Sequence, residues 1–144
     1  FDVAFRPGAS PASVTGDFII FGPTNALTME LGGTAQGTEY DHISVTGLLT
    51  LDGDLTIELH NGWMPSAGNV YDLFDGPIAG AFASVTLPAL DDGLAWDTTQ
   101  LHTTGEIRVT STASAIPEPA TLSLFALGSL GILARRRRAS RQGR

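Results

Sequence analysis

Leu27-Thr28-Met29-Glu30-Leu31 and, 28 residues further on, Leu55-Thr56-Ile57-Glu58-Leu59 are nearly the same pentapeptide. Each alternates apolar and polar residues with a period of two, the pattern of a strand with one buried face. Ile43–Val45 and Leu48–Leu51 predict short strands between the two copies. Tyr71–Phe74, Phe82–Leu87 and Ile107–Val109 predict further strands. Gly47, Gly53, Gly62, Gly68, Gly76 and Gly80 punctuate the series. No helical period appears ahead of the C-terminal tail, so residues 1–110 read as an all-β body.

Two arrangements of such strands are open. Short strands at regular spacing with glycine corners predict a parallel β-solenoid, here the terminus of one. Asp52-Gly53 between two alternating segments instead predicts a tight hairpin, and with it an antiparallel β-sandwich. The chain starts at Phe1 without a basic or strongly apolar leader, and Phe1–Pro11 reads like the middle of a repetitive chain. The expectation is therefore a body continuing from coils upstream.

Composition narrows the class. There are 17 glycines in 144 residues and only 16% charged side chains, which suits an extracellular β-rich protein. Cysteine is absent, so disulfides, thiolate metal sites and cysteine nucleophiles are excluded. The net charge of −7 conceals a division. Residues 1–134 hold two arginines against fifteen acids, a balance of −13, while the last ten residues carry six arginines. An acidic body repels phosphates, so no nucleic-acid partner is expected.

The tail has three parts in order. Pro117-Glu118-Pro119 follows a linker over 111–116 that ends in Ile116. Residues 120–134 carry no charge. Arg135, Arg136, Arg137 and Arg138 come next, and 139–144 form a basic end. The two prolines hold the peptide around Glu118 extended. Beyond Pro119, apolar residues fall on every side of a helix, which requires burial in protein or lipid. Fifteen residues make a helix of about 22 Å, against a hydrocarbon core of about 30 Å. Arginines that reach the headgroups can make up the difference, and their position predicts a transmembrane helix with the body outside the cytoplasm. A buried C-terminal helix is the alternative, though four adjacent arginines fit a globular core badly.

This order and spacing resembles the PEP-CTERM sorting signal of bacteria that possess an outer membrane and exopolysaccharide. The resemblance implies recognition by exosortase, a membrane transpeptidase-like enzyme, through Pro117, Glu118 and Pro119. It implies that Arg135–Arg138 act as the stop and orientation signal. Cleavage near Pro117–Pro119 would leave the body at the cell surface or in the extracellular matrix, after transit through the inner membrane. A similar tail is also called an ice-binding protein C-terminal motif, a label that does not itself show ice binding. A second, looser resemblance concerns Gly37–Leu59, with Tyr40-Asp41, Val45-Thr46-Gly47 and Leu51-Asp52-Gly53-Asp54-Leu55, together with Ala81–Leu101. These stretches are similar to the segments that close β-helical regions of exported, autotransporter-like proteins, and they imply a solenoid terminus.

Chemistry in the body is sparse. Asp52, Asp54 and Glu58 are the best candidate for a weak Ca²⁺ site, but their spacing lacks the ladder of known calcium loops. Turn formation and solubility explain them as well, and explain Asp91-Asp92-Gly93 better. His42, His60 and His102 have no spacing suited to zinc. No nucleophile elbow, phosphate loop or dinucleotide fingerprint occurs. No enzyme activity, metal or cofactor is expected. Trp63, Trp96, Tyr40 and Tyr71 would form a sugar-stacking platform only if at least one tryptophan were exposed among polar groups; otherwise they fill the core. The functional expectation is an exosortase-processed surface or biofilm-matrix protein with a structural body. A module binding exopolysaccharide or an ice-like surface, and the C-terminal part of an enzyme with its catalytic domain upstream, are the alternatives.

Overall fold

The computed structural model describes residues 4–7 and 11–112. All regular structure among them is β, in twelve short strands. These are β1 (Ser13–Gly16), β2 (Ile19–Ile20), β3 (Ala26–Leu31), β4 (His42–Val45), β5 (Leu49–Leu51) and β6 (Asp54–Leu59). They continue with β7 (Val70–Asp72), β8 (Phe74–Asp75), β9 (Ile78–Gly80), β10 (Ser84–Thr86), β11 (Leu94–Asp97) and β12 (Glu106–Ser111). The compact body runs to Thr112.

Nine strands form three parallel sheets of three, ordered β1-β4-β8, β2-β5-β9 and β3-β6-β10. In each sheet the neighbours come from successive passes of the chain. Ser13 lies opposite His42, Ile19 opposite Leu49, and Ala26 opposite Asp54. The two near-identical pentapeptides lie side by side in direct register, with Leu27 beside Leu55 and Leu31 beside Leu59. No sheet among the described residues closes on itself. The fourth sheet, β11-β12-β7, is antiparallel; β7 immediately precedes the third pass, and β11 and β12 follow it.

The period of two decides what is buried. Leu27, Met29 and Leu31 of β3 point inward and are sealed, while Thr28 and Glu30 face out; Leu55, Ile57, Thr56 and Glu58 repeat this on β6. Ile43, Leu49, Leu51, Phe74 and Phe21 fill the same interior from the other sides. Each sealed aliphatic or aromatic side chain contributes roughly 1.5–3 kcal/mol of burial, which is what makes the inward rows specify the register. The aromatic rings run in file: Phe5 lies 6.2 Å from Phe21, Phe21 6.4 Å from Phe82, and Phe82 5.9 Å from Phe74.

Corners stack as the strands do. Asn25 accepts the N–H of Gly22 through Oδ1 at 2.6 Å, and its carbonyl accepts the N–H of Asp54 at 2.9 Å. Gly53 passes the contact on, its carbonyl accepting the N–H of Ala83 at 2.7 Å. Gly53 has φ +72° and any Cβ there would run into the Asn25 carbonyl oxygen, so only glycine fits. At the neighbouring corner Thr46 donates its hydroxyl to Asp17 at 2.8 Å, tying the second pass to the first.

The hairpin that Asp52-Gly53 predicts does not form. β5 and β6 flank the dipeptide but belong to different sheets, and each pairs with strands of the adjacent passes. The turn rule describes the local bend correctly. It cannot see that each strand has a better partner one pass away, where Leu meets Leu on the inner face. The single strand expected over Tyr71–Phe74 is two. β7 joins the antiparallel sheet and β8 the parallel one, and between them the N–H of Leu73 bonds the carbonyl of Gly105 at 2.9 Å. β1, β2, β9 and β11 were not legible, being short and bordered by glycine, proline or charge.

Candidate functional site

The most heavily functionalised patch of the body lies where the parallel stack meets the antiparallel sheet. Ile43 and Val45 turn inward from β4, so His42 and Ser44 leave on the other side. His42 is nevertheless 6% exposed. The excursion between β3 and β4 runs over this end of the sheet. Gly37 sits against Ser13, and Gln36 donates its side-chain amide to the carbonyl of Asp72 at 3.2 Å. Glu39 holds the excursion together by accepting the N–H groups of Thr34 and Ala35, both at 2.9 Å.

Under this cover His42 Nδ1 is 3.4 Å from Ser13 Oγ, and Nε2 is 3.3 Å from Asp75 Oδ2 but outside hydrogen-bond geometry. Burial lowers the His42 pKa, and Asp75 offsets only part of this, so the ring is neutral at pH 7. Asp72 responds in the opposite direction. Burial pushes it up to about 6, and the nearby Asp75 and Glu106 add to the shift. Its backbone N–H meets the Tyr40 hydroxyl at 3.3 Å. A serine, a histidine and carboxylates are the residue types of nucleophilic catalysis. Here the Ser13–His42 contact, at 3.4 Å, is longer than the roughly 2.6–3.2 Å of an activated pair. Burial at this joint disfavours the charged form of both His42 and Asp72.

A second group lies outward on β3 and β6. Arg6 reaches Glu30 at 3.3 Å and Glu58 at 3.2 Å, and His60 Nδ1 stands 3.6 Å from the other oxygen of Glu30. Beside it Thr28, Thr56 and Thr86 form one file across the three strands. The file is a single row, flanked by Asp54 and Ser84 on one side and by Glu30 and Glu58 on the other.

The remaining sequence candidates are scattered. Asp52 accepts the N–H of Gly53, Asp54 accepts the Ser84 hydroxyl, and Glu58 faces Arg6, so the three carboxylates do not converge. Asp91-Asp92-Gly93 forms the turn into β11, with the N–H of Leu94 on the Asp91 carbonyl at 3.1 Å. His102 lies against Phe82 and accepts its N–H at 3.4 Å. Among the described residues no three His, Asp or Glu side chains are grouped to hold a metal ion. Tyr40 and Tyr71 are buried, their rings edge-on at 5.4 Å. Trp63 donates its indole N–H to the Tyr71 hydroxyl at 2.9 Å and Trp96 donates to the Pro88 carbonyl at 2.8 Å, both rings packed on the core.

One buried acid lies outside the candidate site residues. Asp41, 1% exposed, accepts the N–H of Ala12 at 2.7 Å and of Glu30 at 2.8 Å. It thereby clamps the strand entering β1 to β3. Burial raises its pKa, and the two N–H donors offset part of that rise. An acid set directly between Tyr40 and β4 is the clue that the sequence carries.

Pro117, Glu118, Pro119, Arg135, Arg136, Arg137, Arg138 and the expected helix over 120–134 lie outside the described residues. Among the described residues no helix is long and apolar enough to cross a membrane. Neither a curated protein nor a solved structure gives a significant match to the chain. Residues 115–138 match the family model described as the PEP-CTERM protein-sorting motif. A motif of this kind implies export to the cell envelope or surface and processing by exosortase, so the chain combines an all-β body with a sorting signal for the bacterial envelope.

Proposed function

We propose that this chain is an exported structural protein whose body is a non-catalytic β-solenoid, delivered to the cell surface or extracellular matrix when exosortase cuts the tail near Pro117–Pro119. The observation that carries the sorting half is the match over residues 115–138. In this reading Pro117, Glu118 and Pro119 are what the enzyme recognises. The stretch 120–134 holds the precursor in the inner membrane, and Arg135–Arg138 stay on the cytoplasmic side.

Support for the structural half comes from the body. Three parallel sheets, built by passes of 28 to 31 residues, support the reading of a stacked repeat, in which each pass would bury its core against its neighbours. The four candidate stacking aromatics are engaged inside or against that core, which favours scaffolding over sugar binding. The threonine file is one row wide and bordered by acids, which favours it over contact with an ice-like surface. The test is the intact mass of the mature protein recovered from a host that has its exosortase. The expected mass ends near Pro117–Pro119, with or without an added group there. A mass that retains Arg144 would overturn the sorting reading.

A further inference from the structure

β1 and β2 are the outer strands of their sheets, and among the described residues each is paired on one side only. The third strand of the same pass differs. Phe5 lies parallel to Leu27, its N–H on the Ala26 carbonyl at 2.8 Å and its carbonyl taking the N–H of Thr28 at 2.9 Å. Arg6, the next residue, ties this segment to Glu30 and Glu58. Phe5 also continues the aromatic file above Phe21. Residues 5 and 6 thus occupy the place that one more pass would give to its own third side.

The free edge is also unusually apolar. Phe18-Ile19-Ile20-Phe21 runs through β2, with Phe18 73% and Ile20 62% exposed. At the opposite end of the same sheet, β9 is preceded by Pro77 and closed by Gly80, and β10 in its own sheet is soon followed by Pro88. Short strands bounded by proline are protected edges, whereas an uncharged, β-branched and aromatic edge invites another strand.

From this asymmetry we infer that the β1–β2 edge, with Phe18 and Ile20, is a docking surface for one additional parallel coil of polypeptide, of which Phe5–Arg6 is the closing side. The inference rests on the stacked-coil reading above. The coil it fits has the length of the existing passes and carries apolar residues opposite Val14 and Ile19. It also places large apolar side chains beside Phe18 and Ile20. A second copy of the chain fits less well. It could bring only the same edge, running antiparallel, and at the far end the Leu73–Gly105 bond already closes the side of β8.

The experiment replaces residues 1–7 of the full chain with a copy of its own second pass, residues 32–59, and follows amide exchange. The expected result is exchange at Thr15 and Ile20, whose N–H groups point away from β4 and β5, slowed by at least about tenfold, with β11 unchanged. Unchanged exchange at those two amides overturns the docking surface. Because the chain has no cysteine, two further variants separate the possibilities. Thr15→Cys with Ser44→Cys places two thiols opposite each other in register, and a disulfide within one chain is expected. Its failure to form would sink the stacked-coil reading itself. Thr15→Cys alone in the unextended chain is expected to stay monomeric under oxidation, and a disulfide-linked dimer would give the edge to a second copy and overturn the proposal.

Discussion

The stack of three parallel passes and the antiparallel β11-β12-β7 sheet are made from the same kinds of residue by different rules. In the stack, side chains repeat: Leu27 meets Leu55, Thr28 meets Thr56 and Glu30 meets Glu58. In the β11-β12-β7 sheet nothing repeats. Trp96 faces Val109, Ile107 faces Tyr71, and two indole N–H groups are tied to the Tyr71 hydroxyl and the Pro88 carbonyl. Like stacked on like extends a structure, and unlike residues locked by side-chain hydrogen bonds finish it. The corners show the same contrast. Gly53 lies against the backbone of the preceding pass, whereas Gly93, with φ +81°, has open space around it.

That contrast can be broken first at the glycines. Gly53→Val should destabilise the body by about 4 kcal/mol, combining a left-handed backbone with a clash against the Asn25 carbonyl. Gly93→Ala should cost only about 1 kcal/mol, from backbone conformation alone. Urea unfolding of both variants measures the difference, and equal losses would remove the distinction between stacked corner and free turn.

Asp41 tests how far the stack depends on one buried clamp. Asp41→Ala leaves the N–H groups of Ala12 and Glu30 without their acceptor and should cost about 2 kcal/mol. Amide exchange at the start of β1 should rise with it. A loss confined to the far sheet, with β1 unaffected, would contradict the clamp.

The smallest effect probes the joint between the two regions. Asp72 is ionised reluctantly there, with a folded-state pKa of about 6 against 3.8 as its ordinary value. A raised carboxyl pKa stabilises the fold at low pH, and that contribution is lost as pH rises through about 6. His42 works with the opposite sign, since its pKa is lowered from 6.5 and its contribution falls away on acidification. Asp72→Asn should therefore raise stability by about 1 kcal/mol at pH 7.5 and leave it unchanged near pH 4. Thermal melts of the variant and the parent at the two pH values would show it. A pH-independent difference would mean that Asp72 carries no proton at the joint.

The legible parts of the sequence were those where one local rule sufficed. The alternation in Leu27–Leu31 and Leu55–Leu59 identified strands and their buried faces, and both are strands with those residues inside. The tripartite tail was legible because its order of Pro-Glu-Pro, apolar run and arginines is a linear signal, and residues 115–138 match the sorting motif. The niche around His42 was not legible. Ser13, His42 and the pair Asp72 and Asp75 come from three stretches far apart along the chain and meet only because passes stack and a loop folds over them.

By itself, then, the sequence determined that the body is β, which side chains of its clearest strands turn inward, and that residues 115–138 carry a sorting motif. All three follow from period, composition and local order. Only the tertiary structure decided that Asp52-Gly53 is a corner between sheets and that Tyr71–Phe74 divides between two of them. It also decided that Asp41 is a clamp. Those outcomes depend on which strand lies one pass away, and pairing at that distance is settled by the shared interior the strands build together.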